Sequence, residues 1–283
     1  MAVSDRVKII TNKTIVFIFV IAICLMWLIP IYFMIILAFK TKREYGLSAF
    51  WAFPQSGALF DNIKYVLVTT KMAKPFASSM TYSLIGSAAA ILFSSLAAFG
   101  ITKLKIKGAF TIFIIIWSGM IFPIQIYLIP LYKTYLTLNL YNTKLGLILI
   151  YIAISIPFCV FVFRNYFLSM PKDYHEAAKI EGCTNFQIYQ KVIMPNALGP
   201  VAVLALFQIS YIWNDLILGM VLSSSQDIRP VMNALALLNS VYSGTNVPAV
   251  MTANLMASIP IIILYLILQK YFIQGLKIQV SGS

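Results

Sequence analysis

One histidine, three cysteines and eight acidic residues are the whole stock of side chains in this 283-residue chain from which acid–base, nucleophilic or metal chemistry is usually built. His175 stands alone, so no Ser–His–Asp set can be assembled, and it reads as a surface residue of a polar helix. Cys24, Cys159 and Cys183 show no pairing or metal spacing, and two of them sit inside apolar runs as small hydrophobes. No group of His, Cys and carboxylate has ligand spacing, so no metal site is expected. The Gly-rich phosphate loop G-x-x-x-x-G-K-[ST] is absent. If ATP drives this protein, another polypeptide binds it. Only Asp215 of the acids falls in an apolar run, where a central charge costs on the order of 3 kcal/mol and less toward the interface. A proton or sodium relay normally uses more buried carboxylates than that.

The densest patterning lies in the polar stretch Pro171–Pro195, PKDYHEAAKIEGCTNFQIYQKVIMP. Pro171 is suited to open a helix at its first position, and Asp173 and Glu176 favour the positive end of the helix dipole. Gly182 is placed to end that helix. Thr184 with Gln187 three residues on reads as a capping box starting a second short helix, which Pro195 closes. Ala177 and Ala178 leave one side of the first helix small enough for another protein to approach, with Tyr174, Ile180, Phe186 and Ile188 as larger anchors. The plainer reading is a solvated linker between two spans.

The elements that position this stretch are apolar. The chain is 61% hydrophobic and 10% charged, against roughly 25% charged in a soluble domain. The expectation is an all-α polytopic membrane protein with six transmembrane helices, about 14–39, 76–102, 109–131, 145–163, 197–222 and 249–268, in one domain over 1–283. Residues 1–13 are short and basic, and the run after them is too long for a cleaved leader, so it reads as a retained first span. Residues 40–74 alternate polar and aromatic, with an amphipathic piece from Asp61 to Val68 lying along the outer surface. Ser79, Ser83, Gly86, Ser87, Ala90, Ser94 and Ala97 recur at helical spacing in the second span and allow close backbone approach. Pro123 and Pro130 break the third span, Pro157 lies in the fourth, which ends at Arg164, and a short helix is expected from Val231 to Leu238.

The net charge of +13 has no basic stripe on a folded polar surface, so nucleic acid is not the expected partner; the lipid bilayer is. Twelve of the 21 lysines and arginines, counting Arg164 with the 171–195 loop, fall on the side shared by the N-terminus, the second-to-third turn, that loop and the tail, a weak bias that leans both termini toward the cytoplasm. Gln125, Tyr127, Gln208, Tyr211, Asn214, Asp215, Asn233 and Asn254 are the polar or aromatic side chains set where a hydroxyl-rich solute can pass. Trp213, Asn214 and Asp215 either line the mouth of that path or pin the fifth helix to the following loop, for instance through Arg229.

Glu176, Ala177, Ala178, then Gly182, Val192, Met194 and Pro195 resemble the EAA loop of ABC importer permeases. Val192, Met194 and Glu181 replace the commoner Ile, Leu and Asp. The likeness extends to Ala97–Phe99, Phe122–Gln125 with Ile129–Leu131, Trp213–Asp215, Arg229–Pro230, and Gln269–Phe272 with Gly275 and Leu276, and is greatest toward the sugar-importing, maltose-type branch. It implies a type I importer fold with a second similar permease, two cytoplasmic ATPase subunits that carry ATP and magnesium, and an extracellular solute-binding protein, in a bacterial inner membrane. It implies ATPase coupling through Glu176, Ala177, Ala178, Gly182, Thr184 and Pro195, binding-protein contact around Ser240, Gly244 and Asn246, and no cofactor in this chain. A permease for amino acids or peptides, or an ion-coupled secondary transporter, remains open at this point.

Overall fold

The computed structural model describes the backbone of residues 3–104, 106–239 and 246–280, and the side chains of 13–104, 106–171, 173–239 and 246–271. Its elements are helices: α1 Val3–Ala38, α2 Lys42–Leu47, α3 Leu59–Lys64, α4 Ala73–Lys103, α5 Ala109–Ser118, α6 Ile124–Thr137, α7 Lys144–Ser169, α8 Lys172–Ile180, α9 Asn185–Ile188, α10 Met194–Asn196, α11 Leu198–Trp213, α12 Ile217–Leu222, α13 Val231–Leu238 and α14 Val247–Val280. Two wide π turns, Tyr65–Thr69 and Tyr189–Ile193, extend α3 and join α9 to α10. The chain divides into two compact units, Met1–Thr70 with Leu238–Met256, and Lys71–Leu237 with Ala257–Ser283.

Four helical segments among the described residues are long and apolar enough to cross a bilayer: Lys13–Ala38, Ala73–Lys103, Lys144–Ser169 and Val247–Tyr271. A fifth arises if Asn185–Asn196 and Leu198–Trp213, bent by 75° at Ala197, count as one. The expected third span 109–131 breaks at Pro123 as expected, but not at Pro130, which lies inside α6. Pro123 has no N–H to continue the ladder and holds extended backbone, so the run divides at 119–123 into α5, of 10 residues, and α6, of 14 residues. At 1.5 Å per residue, α5 reaches about half of a hydrocarbon core about 30 Å thick. The fifth run divides likewise into α11 and α12 at Asn214–Leu216. The fourth passes Arg164, whose guanidinium lies 4.2 Å from the ring centre of Phe113, and ends at Ser169, where Met170 turns extended ahead of Pro171. The short helix Val231–Leu238 forms as expected.

In the larger unit, α4 packs along α7 and α11. The small-residue stripe of α4 is buried from Ser79 to Ser94, with Ala98 taking the buried place expected of Ala97. Gly86 marks the tightest approach: a Cβ there would lie 3.1 Å from Ile212 Cδ1 and 3.4 Å from Tyr151 Cβ. The upper end of α4 also holds the segment after α12, with Ser78 Oγ donating to Asp227 O (2.6 Å), Tyr82 OH to Ile228 O (2.7 Å) and Val231 N to Ser79 Oγ (2.8 Å).

In the smaller unit, the end of α1 is fastened by Asn62, whose amide donates to Ala38 O and Lys40 O, each at 2.9 Å. Lys40 is fully buried, and its ammonium donates to Ala49 O (2.9 Å) and Ser48 Oγ (3.2 Å). A charge taken out of water needs such partners.

Candidate functional site

The 171–195 stretch folds as a helix, a tight turn and a second helix. Pro171 caps α8 from an extended conformation (φ −50°, ψ 137°), so Lys172 is the first helical residue, one later than expected. The turn is a Schellman motif. Gly182 takes φ +80°, its N–H donates to Lys179 O (3.0 Å), and the Cys183 N–H donates to Ala178 O (3.0 Å). The capping box is complete: Gln187 N donates to Thr184 Oγ1 (3.3 Å), and Thr184 N donates to Gln187 Oε1 (2.8 Å). Pro195 does not close the second helix. It sits at the first turn of α10, where its missing N–H costs little, and the break falls two residues on at Ala197.

This elbow has two faces. Inward, Ala178, Ile188, Tyr189, Ile193 and Ala197 join one apolar cluster with Phe99 of α4, Phe163 and Phe167 of α7 and Leu204 of α11. Tyr189 anchors it: its ring meets Phe99 edge-on at 5.5 Å, and its hydroxyl lies 2.8 Å from Ser95 Oγ. Outward, Tyr174, Ile180 and Phe186 are 51%, 88% and 64% exposed, alongside exposed Glu176 and Ala177. The expectation that Ala178 and Ile188 face outward with these residues is therefore corrected. Both seat the elbow on its own membrane helices.

His175 is 9% exposed rather than a surface residue. Its ring lies 6.3 Å from that of Phe99, and neither ring nitrogen has a hydrogen-bond partner among the described residues. Burial first, and then the charges of Lys179 and Lys103, pull its pKa below the ordinary 6.5, with Glu176 opposing. Burial there favours the neutral imidazole over the charged one.

The expected path residues separate. Tyr127, Gln208 and Tyr211 line one cavity of about 640 Å³ among Met120, Phe122, Pro157, Phe158 and Phe207. Gln208, 4% exposed, is its buried amide. Gln125, on the same helix as Tyr127, is exposed and is not part of that lining. Asn214 is exposed, and its amide donates back to Ser210 O (2.8 Å). Asn233 is buried in α13, and Asn254 belongs to the smaller compact unit.

Asp215 performs the pinning role, though not through Arg229. Its carboxylate accepts from Tyr151 OH (2.9 Å), Gly219 N (2.8 Å) and Leu218 N (3.2 Å), capping α12 and tying it to α7. Arg229 donates instead to Ser224 O at 2.7 Å. Trp213, 2% exposed, donates from Nε1 to Ala257 O of α14. Ser240 and Gly244 lie outside the described residues, while Asn246 Oδ1 accepts from Ala249 N at the start of α14.

Sequence reasoning did not single out Ser95, Tyr151 or Tyr189. Each sits in a run where an apolar side chain would look equally at home, and only the long-range pairing distinguishes them.

Residues 90–278, the part that holds the elbow, the cavity and the Asp215 cap, match the model of the family described as binding-protein-dependent transport system inner membrane component. The chain belongs to that family. It is a permease subunit of an ABC importer. Among curated relatives, it is 32% identical over 228 residues to the arabinooligosaccharides transport system permease protein AraQ of Halalkalibacterium halodurans, covering 80% of each chain. It is 29% identical over 250 residues to the melibiose/raffinose/stachyose import permease protein MelC of Bacillus subtilis, covering 88% of this chain and 89% of that one. Its fold matches that of a chain from a bacterial ABC transporter involved in the import of the acidic polysaccharide alginate, with a TM-score of 0.80 at 24% identity, over 96% of this permease and 99% of that chain. The all-α permease fold is the one expected.

Proposed function

We propose that the whole chain acts as one permease domain that moves a sugar or oligosaccharide by alternating access, driven by separate ATPase subunits that grip the 171–195 elbow. The observation that carries this reading is the division of the elbow into an exposed rim of Tyr174, Ile180 and Phe186 and a base fixed by Tyr189 and Ile193 to three membrane helices. A push on the rim reaches α4, α7 and α11 through that apolar base, and the turn between α8 and α9 is capped on both sides. ATP and magnesium reside on the ATPase subunits, a second similar permease completes the membrane path, and an extracellular solute-binding protein delivers solute. Ser240, Gly244 and Asn246 are the residues assigned to that delivery. Both termini face the cytoplasm of a bacterial cell.

The cavity around Gln208 supports the solute class. A buried amide set between Tyr127, Tyr211, Phe158 and Phe207 combines hydrogen-bonding groups with aromatic faces, the mixture that suits a hydroxyl-bearing ring. The names of AraQ and MelC point the same way. The test is to purify the complex, identify the co-eluting subunits, reconstitute it, and measure ATPase stimulation by binding protein loaded with oligosaccharides, amino acids or peptides. Stimulation by oligosaccharides, reduced in Gln208→Ala and Tyr211→Ala, is expected. Stimulation by amino acids alone overturns the solute class, and transport driven by an ion gradient without ATPase subunits overturns the mechanism.

A further inference from the structure

A small folded cap stands at the C-terminal end of α1 and shares no residue with the elbow or the Gln208 cavity. Its core is Lys40 and Asn62, and Glu44 closes it by accepting from Gln55 N (2.7 Å) and from the Ser56 hydroxyl. A chain of rings then folds back along the helix: Tyr32 to Phe33 at 5.6 Å, Phe33 to Phe50 at 5.2 Å and Phe50 to Trp51 at 4.7 Å between centres. Beyond the rings, Leu47, Phe53 and Phe60 are 79%, 75% and 81% exposed. An open cavity of about 540 Å³ is lined by Thr41, Arg43, Glu44, Gln55 and Ser56 together with Leu47 and Phe53. Between 40 and 56 the chain carries three cations, Lys40, Lys42 and Arg43, against the single acid Glu44.

We propose that this cap is a phospholipid clamp: its apolar rim lies in the interfacial layer of the leaflet where α1 emerges, and Arg43 with the adjoining cavity takes the phosphate of an anionic lipid. Three observations point to a lipid rather than to a soluble protein. The cap follows directly on the 26-residue apolar segment Lys13–Ala38, so its height is tied to the end of a span. The ring chain sits at the last two turns of that segment, where aromatic belts of membrane proteins lie. The exposed Leu47 and Phe53 share one cavity lining with Arg43, which pairs apolar surface with a cation as in segments that rest among anionic headgroups. Glu44 does not empty the site of positive charge, because both its oxygens are held by the loop it closes and Arg43 has no partner among the described residues.

The inference rests on α1 being a span and is independent of the transported solute. It is tested on the assembled complex in nanodiscs of phosphatidylcholine, with or without phosphatidylglycerol, by hydrogen exchange of the backbone over 42–56. Phosphatidylglycerol is expected to slow exchange about fivefold, the effect of one basic group at an anionic surface. Arg43→Gln is expected to abolish that difference, and Phe53→Ser to speed exchange in both lipids. Both side chains are exposed, so neither change threatens folding. Equal exchange in the two lipids overturns the proposal. So does full protection in phosphatidylcholine on adding inorganic phosphate, which would mark a free-anion site, or on adding solute-loaded binding protein, which would mark a protein surface.

Discussion

Replacing Gly182 by valine isolates the backbone of the coupling elbow from its side chains. A Cβ at this position meets nothing within 4 Å, so the substitution creates no clash within the chain. Its effect comes from φ +80°, a conformation that costs a non-glycine residue about 1–2 kcal/mol and a β-branched one more, up to about 3 kcal/mol. The two hydrogen bonds at 3.0 Å that close α8 exist only in that conformation. A strain of ~1–3 kcal/mol therefore lowers the population of the native turn relative to its competitors by about 5- to 150-fold. The inward face stays buried against α4 and α7, so the subunit is expected to reach the membrane and assemble. The assay is ATP-driven uptake by the reconstituted complex, normalised to subunit content, with ATPase activity measured in parallel. Uptake is expected to collapse in Gly182→Val, fall less in Gly182→Ala and least in Gly182→Asn, since Asn tolerates this region best. Gly199→Ala is the control, having equally open space and no positive φ. Wild-type uptake by Gly182→Val, or equal losses for the Asn and Val variants, would refute the argument that the turn's backbone transmits the stroke.

Three further outcomes are expected. Asp215→Ala strands the Tyr151 hydroxyl and the N–H groups of Leu218 and Gly219, costing about 1–3 kcal/mol, which a thermal melt of the purified complex should record as a lower midpoint; Asp215→Asn, which keeps an acceptor for the cap, should lose less. Gly219→Ala places a Cβ 2.8 Å from Pro230 Cγ and 2.9 Å from Cδ, and because the ring is rigid, overpacking of about 1–3 kcal/mol should appear in the same melt. His175 is held below its ordinary 6.5 when packed, so the opened elbow binds more protons, and α8 should lose protection as pH falls below about 6.5 until the packed ring itself titrates. Hydrogen exchange of α8 against pH measures this. Lys103, Lys179 and Glu176 are the charges that face the ring, and His175→Phe should flatten the profile.

Local chemistry that needs only near neighbours was legible in the sequence. Gly182 as a turn residue, the Thr184–Gln187 box, the Val231–Leu238 helix and the small-residue face of α4 each follow from spacing within a few residues, where glycine, capping and steric rules act. The length and apolarity of the runs likewise set the membrane class. What the sequence left open was decided by contacts between residues distant in the chain. The continuation of α7 past Arg164 over Phe113, the inward turn of Ala178 and Ile188, and the choice of Tyr151 rather than Arg229 as partner of Asp215 all depend on which helix lies alongside. In an apolar chain nearly every face is hydrophobic, so periodicity cannot say which side of a helix meets protein and which meets lipid. Only packing distinguishes them, because a close-fitting neighbour and a paired hydroxyl have no one-dimensional signature.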